Sequence, residues 1–204
     1  RNFLWAFLAS ATPLHAQSMP VVAWLYAGRE QPTRAIFDGF RRGLQEQGFV
    51  GGRNVAFDVH ATTRYEDVVT LARDIARKSP AVVYVVGTAN AALAMKAATT
   101  TIPIVFGNGG DPVALGLVNS LGRPGGNVTG MSGQSSELKG KQLQLLLTVQ
   151  PGQKVVGAVV NPETPYGLLA LKETTAAAEK QGVRLEGMEA RRPAEFTAPA
   201  ASMS

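Results

Sequence analysis

The chain has 204 residues, of which 45% are hydrophobic and 17% charged, with no cysteine, two histidines and a formal net charge of +5. That length supports one large or two modest apolar cores, and the lack of cysteine excludes a thiolate nucleophile, a disulfide framework and Cys-ligated zinc or iron–sulfur centres. Lys and Arg are scattered through helical patterns without forming a tract, which argues against a nucleic-acid partner.

Arg1 and Asn2 lead into the apolar run Phe3 to Ala9, and Leu14-His15-Ala16 ends on a small residue before Gln17. A run this short cannot span about 30 Å of hydrocarbon, so the pattern predicts a cleaved secretory signal over residues 1–16 and a periplasmic or extracytoplasmic mature chain. With His15 inside that segment, a His-based metal site or a Ser-His-Asp triad would rest on His60 alone.

From Pro20 onward, short β-branched runs alternate with helical periodicity. Val21 to Leu25 reads as a buried strand, and Phe37, Phe40 and Leu44 recur at helical spacing up to Gly48, a natural stop. Val55, Phe57 and Val59 alternate as a second strand, and Val68, Leu71, Ala72, Ile75 and Ala76 mark the next helix. The unbroken run Ala81 to Val86 is the candidate central parallel strand, because alternation disappears when both faces are covered. A helix over Ala89 to Ala98 and a strand over Ile102 to Phe106 follow. This order predicts an α/β fold with a doubly wound parallel sheet.

Beyond Phe106, a glycine-rich loop runs to Asp111 and Pro112, and the spacing predicts a short helix from about Val113 to Ser120, then a strand over Val128 to Met131. Ser135 or Ser136 would cap a helix on which Leu138, Leu145 and Val149 share a face with Gln142. Lys154 to Val160 and Arg184 to Glu189 read as strands flanking a helix from Tyr166 to Gln181, the start of a second α/β unit. Pro199 would cost about 3 kcal/mol inside a helix, which predicts a short or broken end to the tail.

In open parallel sheets, ligands bind beyond the carboxyl ends of the strands. The loops there carry Gly28 after strand one, Gly87, Thr88 and Asn90 after strand three, and Gly107, Asn108 and Asp111 after strand four. Gly87 and Thr88 open a helix, whose free N–H groups favour an anionic group such as a carboxylate. Asp111 suits either an ammonium or an N-cap ahead of Pro112. Tyr26 and Tyr166, at strand-end loops, suit either stacking on a solute or ordinary packing.

Searches for catalytic motifs fail. Gly130-Met131-Ser132-Gly133-Gln134 lacks the last glycine of a nucleophile elbow and has no histidine downstream. There is no Walker A sequence and no Gly-x-Gly-x-x-Gly after the first strand, so no cofactor, catalytic residue or metal site is expected.

Three blocks then carry a resemblance: Thr99 to Phe106, Gly110-Asp111-Pro112-Val113 with Gly116-Leu117-Val118, and Leu121 to Gly130. Together with Phe40 to Leu44, Gly48-Phe49-Val50 and Gly52 to Val55, they resemble the ABC-transporter substrate-binding proteins related to binders of tryptophan and other aromatic amino acids. The resemblance implies a type I periplasmic-binding fold, two Rossmann-like lobes joined by a thrice-crossed hinge, with Gly130 to Gln134 as the first crossing. It implies a first lobe over 17–130 and a partial second lobe over 131–204, since that family runs to about one and a half times this length. It also implies an amino acid or other small solute as ligand, an ABC permease as partner, no enzymatic activity, and Asn161 and Tyr166 as second-lobe ligand residues. A monomer is expected for the full-length protein and self-association for a truncated chain. Two rival readings are a LacI-type effector domain, opposed by the export signal and the missing helix-turn-helix, and a flavodoxin-like enzyme.

Overall fold

Val21–Ala27 (β1) carries apolar side chains on both faces, and Ala23, Trp24 and Leu25 are completely buried. Such a strand belongs inside a sheet. The computed structural model, which describes residues 19–28, 30–108, 110–133, 138–192 and Glu195, sets β1 between β2 (Ala56–Thr62) and β3 (Val82–Val86). The expected signal, the Ser135 or Ser136 cap and the tail around Pro199 lie outside those residues. β4 (Ile104–Asn108) and β5 (Val128–Ser132) complete a five-stranded sheet in the order β2-β1-β3-β4-β5, all adjacent pairs parallel.

The two faces of β1 meet different helices. Ala23, Leu25 and Ala27 lie in one core with Ala72 and Ile75 of α2 (Val68–Arg77) and Ala92 and Met95 of α3 (Ala89–Ala98). Trp24 and Tyr26 face α1 (Glu30–Glu46), where Phe37 and Phe40 stand 4.9 and 5.3 Å from the Trp24 ring and Phe40 stacks on Tyr84 at 4.6 Å. Helices on both sides make the sheet doubly wound, as expected. α1 is closed by Gly48 at φ 87°, whose left-handed backbone lets Phe49 N–H reach the Leu44 carbonyl at 2.9 Å.

Two expectations need correction. The segment from Val113 to Ser120 is a series of turns and not a helix: Gly116 takes φ 71°, and the Leu117 and Val118 N–H groups both donate to the Pro112 carbonyl at 2.8 and 3.2 Å. The turns drop Leu117 and Val118 into the core, a burial that outweighs helical propensity here. The fourth strand begins at Ile104 and not at Ile102, because Pro103 has no N–H for a ladder and contributes only its carbonyl, which accepts from Val83 N–H at 2.9 Å.

A second, two-stranded parallel sheet pairs β6 (Val155–Val160) with β7 (Arg184–Glu189). They are joined by α5 (Pro165–Lys180), and α4 (Lys139–Val149) packs on α5. Leu143 is the buried residue of α4, whereas Leu145 and Val149 are 66% and 78% exposed. The face read from periodicity exists, but it points away from α5.

Candidate functional site

The ladder register puts the ends of three strands side by side: Tyr26 pairs with Val86, Val86 with Gly107, and Gly107 with Met131. The strand order reverses between β1 and β3, so the loops after Ala27 and Val86 flank the crevice where open α/β sheets take ligands. The structure brings Gly28, Gly87, Thr88, Asn90, Gly107 and the backbone of Asn108 to this one edge.

Gly87 fixes the geometry of the crevice floor. Its φ is 107°, and a Cβ there would fall 2.2 Å from the Ala27 carbonyl oxygen, so only glycine lets the start of α3 lie across the tip of β1. Gly28 N–H donates to the Thr62 carbonyl at 2.9 Å. Beside it a hollow of about 290 Å³ is bounded by Tyr26, Gly28, Ala61, Thr62, Thr63 and Arg64. The Arg64 guanidinium is engaged by Glu66 at 2.9 Å, and that hydrogen bond with the neighbouring Asp67 raises its pKa. Gly107 sits over Tyr84, with room for a Cβ only 3.0 Å from the phenolic oxygen. Burial pushes the Tyr84 hydroxyl above its ordinary pKa and keeps it neutral.

Thr88 occupies the N-cap position of α3 in an extended conformation, φ −109° and ψ 151°, yet its side chain makes no cap hydrogen bond. Its Oγ1 is buried without a partner, and so is Oδ1 of Asn90 in the first helical turn. Buried polar atoms are nearly always hydrogen-bonded, and leaving one unpaired costs about 1–3 kcal/mol. Two such atoms lie beside the first turn of a helix, where the dipole favours an anionic group.

Asp111 organises the turn after it: Oδ1 accepts from Val113 N–H at 2.8 Å and Ala114 N–H at 3.2 Å, contacts of the kind expected of an N-cap but with no helix following. Asn161 likewise organises its own loop, with Oδ1 accepting from Glu163 N–H at 2.9 Å, while Thr164 Oγ1 caps α5 through Gly167 N–H at 3.0 Å. Tyr166 lies in the first turn of α5, and its ring approaches the loop after β4 so closely that a Cβ on Gly110 would meet Cδ2 at 3.0 Å. Asn161 and Tyr166 also line a hollow of about 390 Å³ against Val160, Gly167 and Lys139.

The two units touch across the crevice. Asn90 Nδ2 donates to the Glu163 carbonyl at 3.3 Å, joining α3 to the loop before α5, and on the first sheet Ser132 Oγ donates to the Gly110 carbonyl at 2.5 Å. Glu163 was not foreseen, since it acts through its backbone and no side-chain pattern marks it. Among the described residues no His, Asp and Glu cluster could hold a metal ion, and no helix is long and apolar enough to cross a membrane.

The comparisons agree with this architecture. A tyrosine-binding protein of Clostridioides difficile (strain R20291) is 34% identical over 124 residues, which is 60% of this chain and 35% of that protein. A conserved domain protein from Vibrio cholerae superposes with a TM-score of 0.80 at 28% identity, over 91% of this chain and 62% of that one. The ABC domain from Streptococcus pneumonia in complex with L-Trp superposes with a TM-score of 0.77 at 24% identity, again over 91% and 62%, a likeness of fold. This chain thus spans a third to under two thirds of these relatives, and the shared architecture is the type I periplasmic-binding fold. The model of the family described as ABC transporter substrate binding protein matches residues 30–204, so the chain belongs to that family.

Proposed function

We propose that this chain supplies the ligand crevice of an extracytoplasmic solute-binding protein serving an ABC importer, and that its solute is an amino acid, with tyrosine and tryptophan the first candidates. The carrying observation is the pair of buried, unpartnered atoms Thr88 Oγ1 and Asn90 Oδ1 at the start of α3. A solute carboxylate at the helix N-terminus would take the Thr88 hydroxyl as donor, and a neighbouring N–H of the solute would satisfy Asn90. Residues 17–130 would act as the first lobe and those from 131 as the second, with Tyr166 and Asn161 closing from the far side. Binding would shift the population toward a closed form, which a membrane permease then recognises. The aromatic preference draws on the tyrosine-binding relative and on the neighbour that holds L-Trp.

Isothermal titration of the folded chain against the twenty amino acids tests the reading. Saturable one-to-one heat with L-tyrosine or L-tryptophan is expected. No heat with any amino acid, from protein shown to be folded by circular dichroism, would refute it.

A further inference from the structure

Resting on that reading, we infer that Asn90 is a two-sided specificity residue whose Oδ1 receives the amine of the solute while its Nδ2 latches the two lobes together. The two ends of one planar amide stand in different circumstances. Nδ2 crosses from α3 to the Glu163 carbonyl at 3.3 Å, a contact between residues 73 positions apart. Oδ1, which can only accept, is buried and unpartnered. An amide is rigid, so Nδ2 cannot reach Glu163 without aiming Oδ1 in a fixed direction. Gly87 further restricts that direction by pinning the start of α3 to the Ala27 carbonyl, 2.2 Å from where a Cβ would stand. On the other lobe the Glu163 carbonyl is fixed by the turn in which Asn161 Oδ1 accepts from Glu163 N–H at 2.9 Å. A solute N–H that engages Oδ1 therefore holds the amide in the orientation that keeps the lobes latched, whereas a solute lacking that donor leaves the amide free to turn. Recognition of the amine and closure of the crevice become one event.

The test measures two quantities on the whole chain. The first is the affinity ratio between L-tyrosine and 3-(4-hydroxyphenyl)propionate, which lacks the amine. The second is the change in radius of gyration by small-angle scattering at saturating L-tyrosine. The parent chain is expected to prefer L-tyrosine at least about tenfold and to contract. Asn90→Ala should lose both the preference and the contraction. Asn90→Asp keeps an acceptor but cannot donate to Glu163, so it should retain an amine preference without contracting, and a carboxylate in the first turn of α3 suits the helix dipole and favours folding. Contraction of Asn90→Asp equal to the parent, or an unchanged amine preference in Asn90→Ala, would overturn the proposal while leaving amino acid binding intact. Failure of the parent to bind either compound would sink the functional reading itself, and the latch with it.

Discussion

The carbonyl oxygen of Ala27 lies 2.2 Å from the point where a side chain at Gly87 would begin, so the end of β1 and the start of α3 share space that only a hydrogen can occupy. A methyl at Gly87 meets backbone, which cannot rotate away, and it also confronts a φ of 107°. The conformational cost alone is about 1–3 kcal/mol. Gly87→Ala should lower the unfolding free energy by that much or more, with a correspondingly lower urea midpoint, and weaken solute binding disproportionately, because the shift displaces Thr88 and Asn90. Chemical denaturation paired with calorimetry separates the two losses.

Asp111 offers a cleaner separation of structure from charge. Its two N–H contacts, to Val113 and Ala114, hold the turn that follows, so Asp111→Ala should cost about 1 kcal/mol and Asp111→Asn, which keeps the acceptor oxygen, less than about 1 kcal/mol. If the carboxylate met a solute ammonium instead, Asp111→Asn would spare stability yet abolish binding, and calorimetry on that variant tells the two roles apart.

Asp58 on the edge strand β2 predicts an acid dependence. Burial opposes its ionisation, but the Lys78 ammonium at 2.8 Å and the His60 ring at 3.0 Å outweigh it and hold the carboxyl below its ordinary value. The His60 contact is at ion-pair distance but off hydrogen-bond alignment, so Lys78 dominates. Because the folded pKa is the lower one, the unfolded chain binds the proton first as pH falls; the contribution is complete above the ordinary aspartate value and disappears as pH passes down through the lowered one. Asp58→Asn should cost up to about 1 kcal/mol at neutral pH, with the difference from the parent shrinking below about pH 4. Denaturant melts of both proteins across pH 3 to 7 check it.

The exposed apolar face of α4, with Leu145 and Val149 beside Leu138 and Leu146, predicts self-association of this chain. Leu145→Lys with Val149→Lys should reduce oligomer content while changing stability by no more than about 0.5 kcal/mol. Size-exclusion chromatography of a parent chain that is already a sharp monomer would contradict this.

Much of the first sheet was legible because its strands obey simple burial rules. The unbroken run ending at Val86 announced a covered central strand, Phe37 and Phe40 announced the face of α1 that meets Trp24, and Gly48 announced its end. The turns after Pro112 were read as a helix because local spacing says nothing of the pull of the core on Leu117 and Val118. Periodicity found the apolar stripe of α4 but not which side α5 would take. At the site, Thr88 and Asn90 were found by the general rule for strand ends, whereas their unpaired oxygens and the Glu163 carbonyl emerge only when α3 and α5 are brought together in space.

A crystal structure of the chain grown with L-tyrosine tests the central claim most directly. The account predicts solute density at the carboxyl ends of β1, β3 and β4, with a polar atom of the solute within hydrogen-bonding reach of Thr88 Oγ1 or Asn90 Oδ1. Solute seated elsewhere, such as the hollow between α1 and Phe57, or Thr88 and Asn90 sealed off by protein side chains while tyrosine binds, would contradict it.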